Sequence, residues 1–149
     1  MSDGCGKQDE SRQGNETVTV AVLIHLPKDY NPDSKGVREP IPAIKFYRTA
    51  KEISMHFWAA GQSLGGGIIH WNSMTGFWAD QGYVDVDNIV LLQVDIIDME
   101  ENREWLGRYA RRVLSKRFKQ KAIFLEFVPV RVLLASAKVV PEDKQGRKP

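Results

Sequence analysis

The chain holds one cysteine, Cys5, so no disulfide can close within a single molecule and no cysteine cluster can bind zinc. Long apolar runs are also missing: nothing approaches the roughly 18 residues that span a bilayer, and Met1 to Glu16 has no apolar stretch of the secretory kind. Charge of one sign is absent too, since 21 Lys and Arg against 19 Asp and Glu leave +2, which selects neither nucleic acid nor a membrane surface. No Gly-x-Ser-x-Gly elbow and no His-x-x-x-His pair occurs, so nucleophilic hydrolysis and helix-borne zinc find no support. These absences predict a protein of a reducing compartment, the cytoplasm, with no membrane partner and no cofactor or metal.

What is present reads as one domain. At 149 residues, 42% hydrophobic and 27% charged, the chain has the size and composition of a single globular core. Polar composition predicts a disordered tail over 1–16, and a charged, Pro-bounded stretch ends a C-terminal extension over 135–149. Between them, 17–134 carries alternating patterns. Val18, Val20, Val22, Ile24 and Leu26 recur at period two and predict a first strand from Thr17 to Leu26. Phe46, Ala50, Ile53, Phe57 and Ala60 follow helical spacing, and Gly61 supplies a stop. Ile68 to Trp71 and Ile89 to Ile97 read as strands joined by a long connection or a further short strand. Asp98 and Glu101 have capping-box spacing before a helix through about Lys119, whose buried stripe is Leu106, Tyr109, Ala110, Val113, Leu114 and Phe118. Ile123, Leu125 and Phe127 alternate with Phe124, Glu126 and Val128 in a last strand that Pro129 bends, ends or places at an edge.

That βαββαβ order looks like the ferredoxin-like plan, an α+β fold whose antiparallel sheet carries two helices on one face. The resemblance rests on element order alone and brings no functional residue with it. It does imply an open sheet face. With Val90, Leu92, Val94 and Ile96 turned to the helices, that face collects Leu23, Ile89, Leu91, Ile97, Phe124 and Val128, too much apolar area to leave wet without a reason. Leu23, Ile89, Leu91 and Phe124 are therefore the candidate interface. His25, His70, Asp95 and Glu126 fall on the same face and form a candidate pocket, because a carboxylate beside an imidazole orients it and supports its charged form.

Other features weigh less. Gly61 to Gly67 follows a helix, precedes a strand and lacks lysine, the reverse of a phosphate loop. The loop over 27–45, with Pro27, Pro32, Pro40 and Pro42, is long enough to cap the open face. Acids in 71–88 lack EF-hand spacing. The second helix concentrates Arg108, Arg111, Arg112, Lys116 and Lys119, a candidate anion-binding stripe that is also an ordinary solvated face. Base stacking on the central strands is disfavoured, for Thr17 to Leu26 and Ile89 to Ile97 contain no aromatic residue.

The expectation is a small binding domain acting through its open sheet face, as a homodimer or with a protein partner, and leaning away from catalysis. Two alternatives stand beside it. One is a small-molecule enzyme of dimeric α+β barrel type with the His/Asp pocket; the other is a nucleic-acid-associated module using the basic helix.

Overall fold

Alternation in β1 (Thr19–Pro27) sends Val20, Val22, Ile24 and Leu26 to one side, where all four are buried. The computed structural model describes residues 18–62, 64, 66–135 and 137; both expected tails, apart from a few C-terminal positions, and Cys5 lie outside them. α1 (Ala43–Ala59) follows, then β2 (Ile68–Asp80) and β3 (Tyr83–Ile97). A second helix runs without a break through α2 (Glu100–Tyr109), a π-helical turn (Ala110–Leu114) and α3 (Ser115–Arg117), and β4 (Phe124–Val130) closes the order. The sheet is antiparallel throughout, in the order β2-β3-β1-β4. This is an α+β fold with an open sheet, and none of its described helices is long and apolar enough to cross a membrane.

Both helices cover one face. Val90, Leu92, Val94 and Ile96 of β3 register with Leu26, Ile24, Val22 and Val20, and onto this surface pack Phe46, Ile53 and Phe57 from α1 and Leu106, Leu114 and Phe118 from the second helix. Gly61, at φ +66°, ends α1 in a Schellman motif: Gln62 N–H donates to Phe57 C=O and Gly61 N–H to Trp58 C=O. The second helix repeats that ending, with Lys119 at φ +52° in the place of glycine and Gln120 N–H donating to Ser115 C=O.

The π turn has a packing cause. Leu106, Ala110, Leu114 and Phe118 are all buried at a spacing of four, and in a regular α-helix each such step overshoots a turn by about 40°. A wider turn absorbs that drift and keeps the stripe on the sheet. Ser115 N–H reaches back five residues to Ala110 C=O, while the Ser115 hydroxyl donates to the Arg111 carbonyl.

Three expectations need correction. Asp98 does not cap the second helix: Met99 occupies the cap position, Asp98 pairs with Arg103, and the buried Asn102 side chain donates to Ile97 C=O at 2.9 Å. The segment 71–88 is no loose connection. β2 and β3 form one long hairpin closed by Gln81 and Gly82, both at positive φ (47° and 84°), the conformation of a tight two-residue turn. The loop over 27–45 does not cap the centre of the sheet. Its Arg38 pairs with Asp87, Lys28 N–H donates to Asn88 C=O, and Tyr30 takes a 2.5 Å hydrogen bond from Lys45 near the end of the second helix.

A polar network ties the helices together beside the core. Arg117, nearly buried, donates to both Glu52 carboxylate oxygens at 2.9 Å and to Thr49 Oγ1 at 2.8 Å, and Tyr109 OH donates to Glu52 Oε2 at 2.5 Å. Burial alone would raise the Glu52 carboxyl, but Tyr109, Arg117 and Arg48 outweigh it and hold the group below its ordinary range. The Tyr109 phenol is pushed the other way, well above its usual value, by burial and by its bond to Glu52.

Arg117→Met should lower the free energy of unfolding by about 1–3 kcal/mol in urea melts at neutral pH, because it strips charged hydrogen bonds from Glu52 and Thr49. The pH dependence carries a definite sign. Unfolded Glu52 takes its proton at a higher pH than folded Glu52, so the stabilisation is full above the ordinary value of 4.5 and is lost as pH falls below it. Glu52→Gln should flatten that part of the stability curve, and an unchanged slope below pH 4.5 would show that the network does not act this way.

Candidate functional site

The face of the sheet opposite the helices is built from the odd positions of β1 and β3. Leu23 registers between Gln93 and Glu126, His25 between Leu91 and Phe124, and Ala21 between Asp95 and Val128. On the far side of β3, Ile68 lies opposite Gln93 and His70 opposite Leu91. His25, His70, Asp95 and Glu126 thus share one face, but they form two clusters separated by Leu23 and Leu91.

In the first cluster, His25 Nε2 lies 2.5 Å from Glu126 Oε1, so the ring donates to the carboxylate. Phe124 packs edge-on against the imidazole at 4.9 Å between ring centres. The other ring nitrogen, Nδ1, is buried and has no hydrogen-bond partner. In the second cluster Gln93 donates through Nε2 to Asp95 Oδ1 at 3.1 Å, which turns its amide oxygen toward His70 Nε2, also at 3.1 Å. A carboxylate accepts only, so this relay fixes His70 Nε2 as a donor and leaves its Nδ1 on the exposed side. Among the described residues, no group of three or more His, Cys, Asp or Glu is placed to hold a metal ion.

The candidate interface residues fare differently. Leu23 and Leu91 are half-buried and Phe124 is exposed, whereas Ile89 is 6% exposed and offers no surface. The hairpin explains this. Beyond Pro27, where β1 ends opposite Ile89, β2 and β3 continue alone as an arm. Gly76 sits against Ile89 so closely that a Cβ would collide with its Cδ1, and Trp78 comes within 5.7 Å of the Phe124 ring across the open face. The arm is the element that periodicity missed. Val84 and Val86 alternating with Asp85 and Asp87 signalled a strand there, but Gln81-Gly82 is a weaker turn sequence than Asn-Gly.

The basic stripe is partly structural. Arg103 pairs with Asp98 and Arg117 with Glu52, leaving Arg108, Arg111, Arg112, Lys116 and Lys119 exposed; Lys119 lies over the Tyr30 ring, 4.9 Å from its centre. His56 belongs to neither site. It stacks on Trp105 at 3.6 Å, and burial holds its imidazole below the ordinary range despite the neighbouring Glu101.

A double-mutant cycle on His25→Ala and Glu126→Ala should return a coupling of about 0.5–1 kcal/mol in thermal or urea unfolding, modest because Glu126 is well exposed. Gly76→Val should displace the arm from Ile89 and shift tryptophan emission to the red as Trp78 leaves Phe124. Emission unchanged from the parent would mean that the arm does not rest on this face.

No protein-family model matches the sequence and no curated protein matches it, so what the two clusters and the face between them can do is read from their geometry alone.

Proposed function

We propose that this chain is a binding domain that self-associates through the open face of a ferredoxin-like sheet. The order β2-β3-β1-β4, with one helix between β1 and β2 and the other between β3 and β4, supports the split βαβ plan. One observation carries the reading. The helix-free face keeps Leu23, Leu91, Ile97, Phe124 and Val128 partly or wholly accessible around two organised polar clusters, with the arm meeting it at Ile89 and Phe124. A second copy laid on this face would bury that apolar area and enclose both histidine clusters between two sheets.

A small-molecule pocket is the second reading, favoured by the unpartnered, buried Nδ1 of His25. A ligand donor or acceptor placed there would complete the ring's hydrogen bonding. In such a pocket His25 and His70 are the proton-handling groups, and Glu126 and the Gln93–Asp95 relay orient them.

Sedimentation of the full chain should give a dimer that Leu91→Glu converts to monomer without a large loss of melting temperature, since Leu91 lies on the face away from the core. A parent chain that stays monomeric at the highest concentration reached would overturn the self-association reading. For the pocket, ring resonances of His25 and His70 should move together when a bound small molecule is titrated in, and His70→Ala should abolish the shift.

A further inference from the structure

β4 is the outermost strand on its side of the sheet, and the register shows which of its backbone groups are unused. Lys28 N–H donates to Asn88 C=O and Val18 C=O accepts from Asp98 N–H, so the even positions of β1 bond to β3 and the odd positions to β4. Those odd positions lie opposite Phe124, Glu126, Val128 and Val130. Leu125 and Phe127 therefore turn their N–H and C=O groups outward, where nothing pairs with them among the described residues, and Pro129 ends the row of donors.

A groove runs beside this edge. Between β4 and the second helix opens a cavity of about 580 Å³, within the usual size of binding clefts. Ala110, Ile123 and Leu125 give it apolar walls; Arg111 and Lys121 line it as cations, no acid lines it, and neither cation has an ion-pair partner among the described residues. Gly107, also in the wall, lies inside a helix, where glycine is destabilising relative to alanine. Beyond the helix's own turn, a Cβ there would meet only Arg111 Nη1, at 3.3 Å, so core packing does not ask for glycine. What the missing side chain leaves is room in the groove, next to the π turn that starts at Ala110.

We infer that this groove binds an extended acidic peptide, which adds to the β4 edge as a further strand opposite Leu125 and Phe127. The pleat fixes which side chains enter. Ile123, Leu125 and Phe127 pack toward the helices, so peptide residues directly opposite them point the same way, into the groove. On that one face the ligand carries an apolar residue for Ala110 and Leu125 and, two positions away, an acid for Arg111 or Lys121. The intervening residues lie beside Phe124 and Glu126 on the other face, where the Glu126 carboxylate disfavours acids, so they are uncharged. The groove is on the helix side of the edge, so the inference goes beyond the self-association reading and holds whether or not the open faces pair.

The probe is a capped peptide, Thr-Glu-Thr-Val-Thr-Glu-Thr, titrated into the isotope-labelled full chain. It should move the amide resonances of Leu125 and Phe127 and bind about tenfold more tightly than Thr-Thr-Glu-Val-Glu-Thr-Thr, whose composition and charge are the same but whose valine and acids fall on opposite faces. Gly107→Leu fills the groove where the fold tolerates a side chain; it should weaken binding about tenfold or more while melting at or above the parent temperature. Arg111→Glu with Lys121→Glu should weaken binding by about as much with a melting temperature near the parent's. Unmoved Leu125 and Phe127 amides, equal affinity for the two peptides, or a Gly107→Leu chain that binds like the parent would overturn the inference. Polyuridylate binding that the charge variant abolishes, with no response to the peptide, would assign the cations to nucleic acid and overturn it as well.

Discussion

The pairing of β1 with β3 is the constraint on which the rest depends. From Thr19 opposite Ile97 to Pro27 opposite Ile89 the register is unbroken, and with side chains alternating strictly it assigns every residue of both strands to a side. A slip of one position would turn Val20, Val22, Ile24 and Leu26 to water and send His25 into the core. The helices are secured to the chosen side twice, by the Phe46, Ile53, Leu106 and Phe118 packing and by the Arg117–Glu52–Tyr109 bonds that join them laterally. Neither device reaches the opposite side of the sheet. That side is free to hold polar groups because neither helix packs against it.

A division of this kind places stability and recognition on separate surfaces. Ordinary carboxylate chemistry runs on both: Glu52 serves the helices through a nearly buried guanidinium, while Glu126 holds an imidazole at the boundary with solvent. Burial accounts for the contrast. Arg117 has little water left and depends on its partners, whereas Glu126 retains solvent and orients His25 at modest cost.

Much of this was legible in residue order, for reasons that also explain what was not. Val20 to Leu26, Val90 to Ile96 and the Leu106–Phe118 stripe are strongly periodic, and the side assigned to each of them follows from that periodicity. The pairing of His25 with Glu126 needed the alignment of β1 with β4, which no local pattern supplies; only their common face could be read. Glu52 lies on α1 and Tyr109 and Arg117 on the second helix, so their meeting is a product of tertiary packing. The arm was hidden because its alternating residues are punctuated by Gly76, Gly82 and the acids and amides Asp80, Gln81, Asp85, Asp87 and Asn88, which locally resemble a loop. Ile89 looked exposed by parity and is covered because that hidden element turns back onto it.

Pro129 and the irregularity between His70 and Met74 have a consequence for assembly beyond the pair. They interrupt the two outermost strands, β4 and β2, and a strand lacking an N–H or breaking register is a poor template for further growth. With uninterrupted borders, such a sheet would present two regular templates, and copies could join end to end without limit. The interruptions leave only short stretches able to accept another strand, which favours small closed assemblies over filaments.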